Sequence, residues 1–196
     1  MTPDSADSPA RRRAPIPVLE RQMVEIKNQF SGETLRVVEG DSLAGADLAG
    51  ANLPVASLAG FDLQGANLSG SNLAVADFSG GKLMGCNLQR ANLTGANLTA
   101  ANLTEAQLPE ANLTGADLGN ACLYGAVLDG ANLTGANLTG SDLRGARLQG
   151  ADLTNAVMNH ADLNGAVFDE RTKFPALFFD PEGHGAVRAG RIGGQG

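Results

Sequence analysis

The chain has 196 residues, of which 14 are basic and 21 acidic, giving a net charge of −7. That balance argues against direct nucleic-acid binding through a basic surface, and two histidines with two cysteines leave little material for a metal or redox centre. With 26 glycines and 4% aromatic residues, the chain is rich in turns and poor in large core side chains.

Residues 1–17, "MTPDSADSPARRRAPIP", are rich in Pro, Ala and charge, and read as a disordered arm. The Arg11–Arg13 run lacks the apolar stretch of a twin-arginine or secretory signal and is a small basic footprint, so it reads as a solvated run. Residues 18–40 form an N-terminal capping element. Val24 and Ile26, then Leu35 and Val37, alternate with charged neighbours across Ser31-Gly32, which predicts a β-hairpin. The spacing of Leu19, Met23, Ile26 and Phe30 also suits a short amphipathic helix.

From Leu43 to Phe168 every fifth residue is Leu, save Phe78, Met158 and Phe168. A five-residue step advances about 500° around an α-helix, so those Leu cannot share a helical face. In a flat strand, an odd spacing would throw each successive Leu to the opposite side. The remaining solution is a coil whose short extended steps are joined by corners, with every Leu pointing at one axis. The corners read Leu-Thr-Gly-Ala, as at 93–96, where the third residue of a type II turn needs positive φ and favours Gly. Val55, Val75, Arg90, Glu105 and Asn120 resist that conformation and predict corners of another type. The residue after each corner, usually Ala, faces inward beside Leu.

Units such as "ADLAG" (46–50), "ANLSG" (66–70) and "ADLTN" (151–155) resemble the pentapeptide-repeat family over about two thirds of the chain. The resemblance implies an all-β fold: a right-handed quadrilateral β-helix over 41–170, about 6.5 coils, with four pentads per turn. Spacing alone would also permit three or five sides. Twenty-residue stacking puts Phe61 over Gly81, a large residue over the smallest. The expected core includes Phe61, Gly81, Phe78, Leu93, Leu113 and Leu133. Cys86 falls in the column of Ala46, Ala66, Ala106, Ala126, Ala146 and Ala166, as a small buried hydrophobe.

Residues 171–187 gather Phe174, Leu177, Phe178 and Phe179 and read as a C-terminal cap, with 188–196 as a flexible tail. Without an apolar run long enough to span a membrane, and with no metal or redox spacing at Cys86 and Cys122, the expected setting is cytoplasmic. No cofactor is called for. His160 sits at a corner and His184 in the cap, so no His-based catalytic site is expected, and outward Tyr124 reads as a contact residue.

Three functions compete. The first is a non-enzymatic scaffold whose flat walls or ends bind an unidentified partner protein. Asp77, Asp117, Asn92, Asn112, Asn132, Phe174, Phe178 and Phe179 are its candidate contact residues. Stacked Asn52, Asn72, Asn92, Asn112 and Asn132 can equally form a structural ladder. The second follows from the resemblance: the best-known family members are DNA mimics that bind DNA gyrase, confer quinolone resistance and form end-to-end dimers through the C-terminal coil. Here thirteen acids and four bases over 41–170 leave −9 along roughly 31 Å, about half the charge density of duplex DNA. Lys82, Arg90, Arg144 and Arg147 share walls with most of the acids. An aromatic segment that folds back as a cap would leave a monomer instead of an end-to-end homodimer. The third, an ice-binding surface, rests on Thr columns at 94, 114, 134 and 154.

Overall fold

The computed structural model describes residues 22–175 and 180–189. Nearly every pentad builds its corner in the same way. The residue after the corner donates its N–H to the carbonyl of the preceding Leu, as from Ala96 to Leu93 at 3.0 Å, and the third turn residue takes positive φ, 64° at Gly95. These short steps then pair with the coil above. Leu93 N–H donates to Asn112 C=O at 2.7 Å, and Asn112 N–H donates to Ala91 C=O at 2.9 Å.

Parallel pairing joins residues twenty apart, from Asp47↔Asn67 through Asn92↔Asn112 to Arg147↔Val167. Four five-residue sides therefore close each coil, which the five-residue spacing had left open. The Leu columns and the small residues beside them form one continuous core. Leu93, Leu113, Leu133 and Phe78 are completely buried, with Met158 and Phe168 filling Leu positions near the far end.

The corners without glycine depart from expectation. Val55, Val75, Arg90, Glu105 and Asn120 all adopt positive φ, between 53° and 58°, as do Ala100, Glu110, Asn155 and His160. The cause is non-local. Val75 N–H donates to Thr94 C=O at 2.9 Å and Glu105 N–H to Tyr124 C=O at 2.9 Å, the bond that Gly95 makes to Thr114. An L-residue in this region costs about 1–2 kcal/mol. A different corner would break the coil-to-coil bonds on both sides, so the lattice imposes its conformation on whichever residue arrives.

Phe61 and Gly81 are stacked, since Lys82 N–H donates to Phe61 C=O at 2.9 Å and Asn102 N–H to Gly81 C=O at 2.9 Å. Phe61 remains only half-buried against the core. A Cβ at Gly81 would meet Phe78 C=O at 2.9 Å and Leu83 Cδ1 at 3.1 Å, and no Phe61 atom is among the three nearest. The missing side chain thus leaves room for the Phe78 backbone carbonyl and the Leu83 side chain of its own coil.

At the N-terminal end, β1 (Met23–Asn28) and β2 (Thr34–Glu39) form an antiparallel hairpin, with a register shift between Ile26 and Lys27. The helical alternative fails because strand alternation buries Ile26 completely while leaving Phe30 77% exposed; Leu19 lies outside the described residues. β1 pairs antiparallel with β3 (Ala56–Ser57) of the first coil, and Gln29 N–H donates to Val55 C=O at 2.9 Å.

At the other end, the pairing slips by one residue, from twenty to twenty-one, at Asp152↔Lys173. Asp169, nearly buried, holds the slip. Its carboxylate accepts the Gly150 N–H at 2.9 Å and the Arg171 guanidinium at 2.7 and 3.0 Å. β4 (Val167–Phe168) then pairs parallel with β5 (Val187–Arg188). Arg188, expected to begin a tail, instead extends the ladder, and Ala189 N–H reaches Phe168 C=O at 2.6 Å.

Candidate protein-interaction surface

Four walls run along the coil, named here in chain order by their Leu columns: Leu43 to Leu163, Leu48 to Leu148, Leu53 to Leu153, and Leu58 to Met158. Each presents the residue before its Leu and the corner residues after it.

The third wall carries Asn92, Asn112 and Asn132. Asn72 Nδ2 donates to Asn52 Oδ1 at 2.8 Å and Asn92 Nδ2 to Asn72 Oδ1 at 3.1 Å, which makes a ladder over the lower coils. Higher up the side chains also bond locally. Thr94, Thr114 and Thr134 hydroxyls donate to Asn92, Asn112 and Asn132 Oδ1 at 2.7, 2.6 and 2.6 Å. Those hydroxyl protons are spent along the wall, not turned outward.

The fourth wall carries Asp77 and Asp117, which the stacking separates by two coils. Asn97 Nδ2 donates to Asp77 Oδ1 at 3.1 Å and Asn137 Nδ2 to Asp117 Oδ1 at 2.9 Å. The first and second walls are laced by ion pairs. Lys82 lies 3.9 Å from Asp62, Arg90 2.8 Å from Glu110, Arg144 2.8 Å from Asp142 and 3.8 Å from Asp162, and Arg147 against Asp129. Hydrogen bonding to Arg144 lowers the Asp142 pKa, and bonding to Arg90 does the same for Glu110. All four basic residues of the repeat are thereby engaged by carboxylates.

Large side chains break the otherwise small-residue surface on the first wall. Met84 and Tyr124 stand in the column directly after its Leu residues, 41% and 49% exposed, with the Arg144 guanidinium 5.8 Å from the Tyr124 ring centroid. Sequence reasoning marked Tyr124 and missed Met84, whose signal is a large apolar residue at a position that the repeat otherwise fills mostly with small or polar residues.

Phe174 packs edge-on against Phe168, centroids 5.3 Å apart at 87°, whereas Leu177, Phe178 and Phe179 lie outside the described residues. Cys86 is buried with its thiol donating to Leu63 C=O at 2.8 Å, and burial pushes its pKa up to about 12, a state far from a reactive thiolate. Cys122 is half-buried, 3.3 Å from the Thr104 hydroxyl. His160 occupies an exposed corner and His184 an exposed turn. Among the described residues no cluster of His, Cys, Asp and Glu could hold a metal, and no helix is long and apolar enough to cross a membrane.

A family model for pentapeptide repeats matches residues 42–73, 55–90, 91–130 and 131–169, with eight copies. Among solved structures, a pentapeptide repeat protein, Rfr23, from the cyanobacterium Cyanothece 51142 is 43% identical over 47% of this chain, with a TM-score of 0.47. The chain spans only 63% of that protein's length. HetL, a pentapeptide repeat protein involved in heterocyst differentiation regulation in Nostoc sp. strain PCC 7120, is 28% identical over 72% of this chain and 80% of its own, with a TM-score of 0.38. QnrB1, a plasmid-mediated fluoroquinolone resistance protein, is 20% identical over 63% of this chain and 78% of its own, with a TM-score of 0.30. No curated protein matches the chain. The repeat register, the twenty-residue pairing and the family match over residues 42–169 lead to one conclusion: the chain belongs to the pentapeptide repeat family.

Proposed function

We propose that this protein is a non-enzymatic scaffold that binds a partner protein through its flat walls or its ends. The observation that carries this reading is the charge cancellation on the first and second walls. Every basic residue within the repeat is matched to a carboxylate, so these walls present paired charges and exposed contact residues in place of a continuous acidic field. The third wall is nearly uncharged until Asp152, itself paired with Lys173 at 2.8 Å. The cytoplasm is taken as the compartment, supported by two unpaired thiols.

A second reading, an acidic DNA mimic acting on DNA gyrase, has one observation in its favour: Asp77 and Asp117 stand on the fourth wall without a basic neighbour in their column. Two carboxylates separated by two coils, each capped by an Asn amide, form a sparse imitation of a phosphate backbone. Ice binding ranks last, because Thr94, Thr114 and Thr134 already donate their hydroxyl protons within the wall.

Two experiments test the scaffold. A pull-down from the native host is expected to capture a protein whose retention falls when exposed wall residues are changed, such as Asn132→Arg. Supercoiling by purified gyrase, with and without a fluoroquinolone, is expected to be unaffected. Inhibition of supercoiling, or protection from the drug, would put the gyrase reading first.

A further inference from the structure

The first wall holds an exposed strip that its own coil leaves uncovered. Met84, Thr104, Tyr124 and Arg144 follow one another at twenty-residue intervals, and so climb the wall at about 4.8 Å per step. Glu105 lies beside this column. A Cβ on Gly125, the residue after Tyr124, would sit 3.6 Å from Glu105 Cγ, so the acid's stem runs beneath the tyrosine's corner. Arg144 is already bound by two aspartates, whereas Glu105 forms no ion pair among the described residues. The strip therefore offers, reading upward, an apolar side chain, a carboxylate without a cation, and an aromatic ring.

The chain's own beginning carries the complementary order. The Gln22 carbonyl accepts the Gly40 N–H at 2.8 Å, three residues before Leu43, so the described chain begins near the foot of this wall. Reading backward from Gln22, Leu19, Val18 and Ile16 come first and Arg13, Arg12 and Arg11 follow. Met84 stands about 10 Å above the foot, Glu105 about 14 Å and Tyr124 about 19 Å. Nine residues separate Gln22 from Arg13 and can span about 30 Å when extended, so both halves of the segment reach their counterparts.

We propose that the segment Arg11–Leu19 docks on the first wall, its apolar residues over Met84 and its arginines against Glu105 and the free face of Tyr124. The inference does not depend on the scaffold reading, but adds to it a tethered occupant that any partner using this wall displaces. The tether supplies an effective concentration on the order of millimolar, so even an intrinsic affinity of that order keeps the segment bound about half the time.

Tyr124 is the chain's only tyrosine and there is no tryptophan, so its fluorescence reports directly on the strip. Acrylamide quenching of the full chain at low salt is expected to be about twofold weaker than in a variant with Arg11, Arg12 and Arg13 each changed to Ser, as half-time shielding requires. Glu105→Gln and Met84→Ser, both at exposed positions, are expected to raise quenching toward that of the arginine variant. At 1 M salt, where the screening length is about 3 Å, the electrostatic part of the difference closes. Equal quenching of wild type and arginine variant at every salt concentration overturns the proposal. Shielding that grows with protein concentration also overturns it, by assigning the strip to the arm of a second copy.

Discussion

If the lattice imposes its corner conformation, exchanging glycine and alanine at matched corners should move stability in opposite directions. Gly115 has φ +63° and a Cβ built there meets nothing within 4 Å, so Gly115→Ala introduces left-handed strain without a clash. That strain costs about 1–2 kcal/mol, offset by roughly 0.5–1 kcal/mol because alanine loses less backbone freedom on folding. The net loss is about 0.5–1 kcal/mol, equivalent to roughly 1–4 °C in Tm for a domain of this size. Ala100, exposed with φ 56°, is the mirror experiment, and Ala100→Gly should raise Tm by a similar amount. Far-ultraviolet circular dichroism during heating, at matched protein concentration, reads both. Gly81→Ala serves as a contrast, since its φ is not positive and its cost comes from the Phe78 carbonyl 2.9 Å away. An unchanged Tm for Gly115→Ala together with a lowered Tm for Ala100→Gly would show that the corners carry no strain and that the explanation given for Val75 and Glu105 is wrong.

Leu113→Asp should unfold the middle of the rod, because Leu113 is completely buried and a carboxylate there has no partner, whereas Asn112→Asp one residue away should be mild. Equal losses of thermal stability in the two variants would invert the assignment of inward and outward faces. Acid should loosen the C-terminal slip. The Arg171 guanidinium, with backbone N–H groups of Gly150 and Arg171, holds Asp169 down to about 2, and Lys173 with Thr154 does the same for Asp152. A carboxylate whose folded value is depressed contributes its full stability above the ordinary value near 4, and loses it as pH falls through about 2. Circular dichroism between pH 5 and 2 should show this loss, and Asp169→Asn should remove part of the slope; an identical slope in that variant would exclude Asp169 as its source.

The core and the hairpin were legible in the sequence because both depend on local periodicity. Leu at every fifth position identified the inward residues, and the alternation around Ile26 identified β1. The number of sides was not legible from spacing, because closure depends on which carbonyl Leu93 N–H meets, nineteen residues ahead. The corners at Val75 and Glu105 misled local reasoning for the same reason, since a bond to the next coil overrides the preference of the residue itself. The one-residue slip at Lys173 has no composition signature beyond Asp169, Arg171 and Thr172, whose bonds become visible only once the coil is stacked. Within the candidate surface, Tyr124 announced itself as the lone tyrosine. The Arg90–Glu110 pair required knowing that twenty residues make one turn.

The core repeats every five residues, while the surface repeats only every twenty. These two periods separate the inheritance of stability from the inheritance of recognition. Loss of a single pentad from the middle of the chain would leave every later Leu standing on another Leu. It would also rotate the upper outer surface by a quarter turn, carrying Tyr124 and Arg144 onto the side where a neighbouring wall had been. Loss of four pentads would shorten the rod and leave each remaining column in place. A lineage built on this lattice can therefore reassort the faces of its rod by small in-frame deletions and duplications within the regular structure itself.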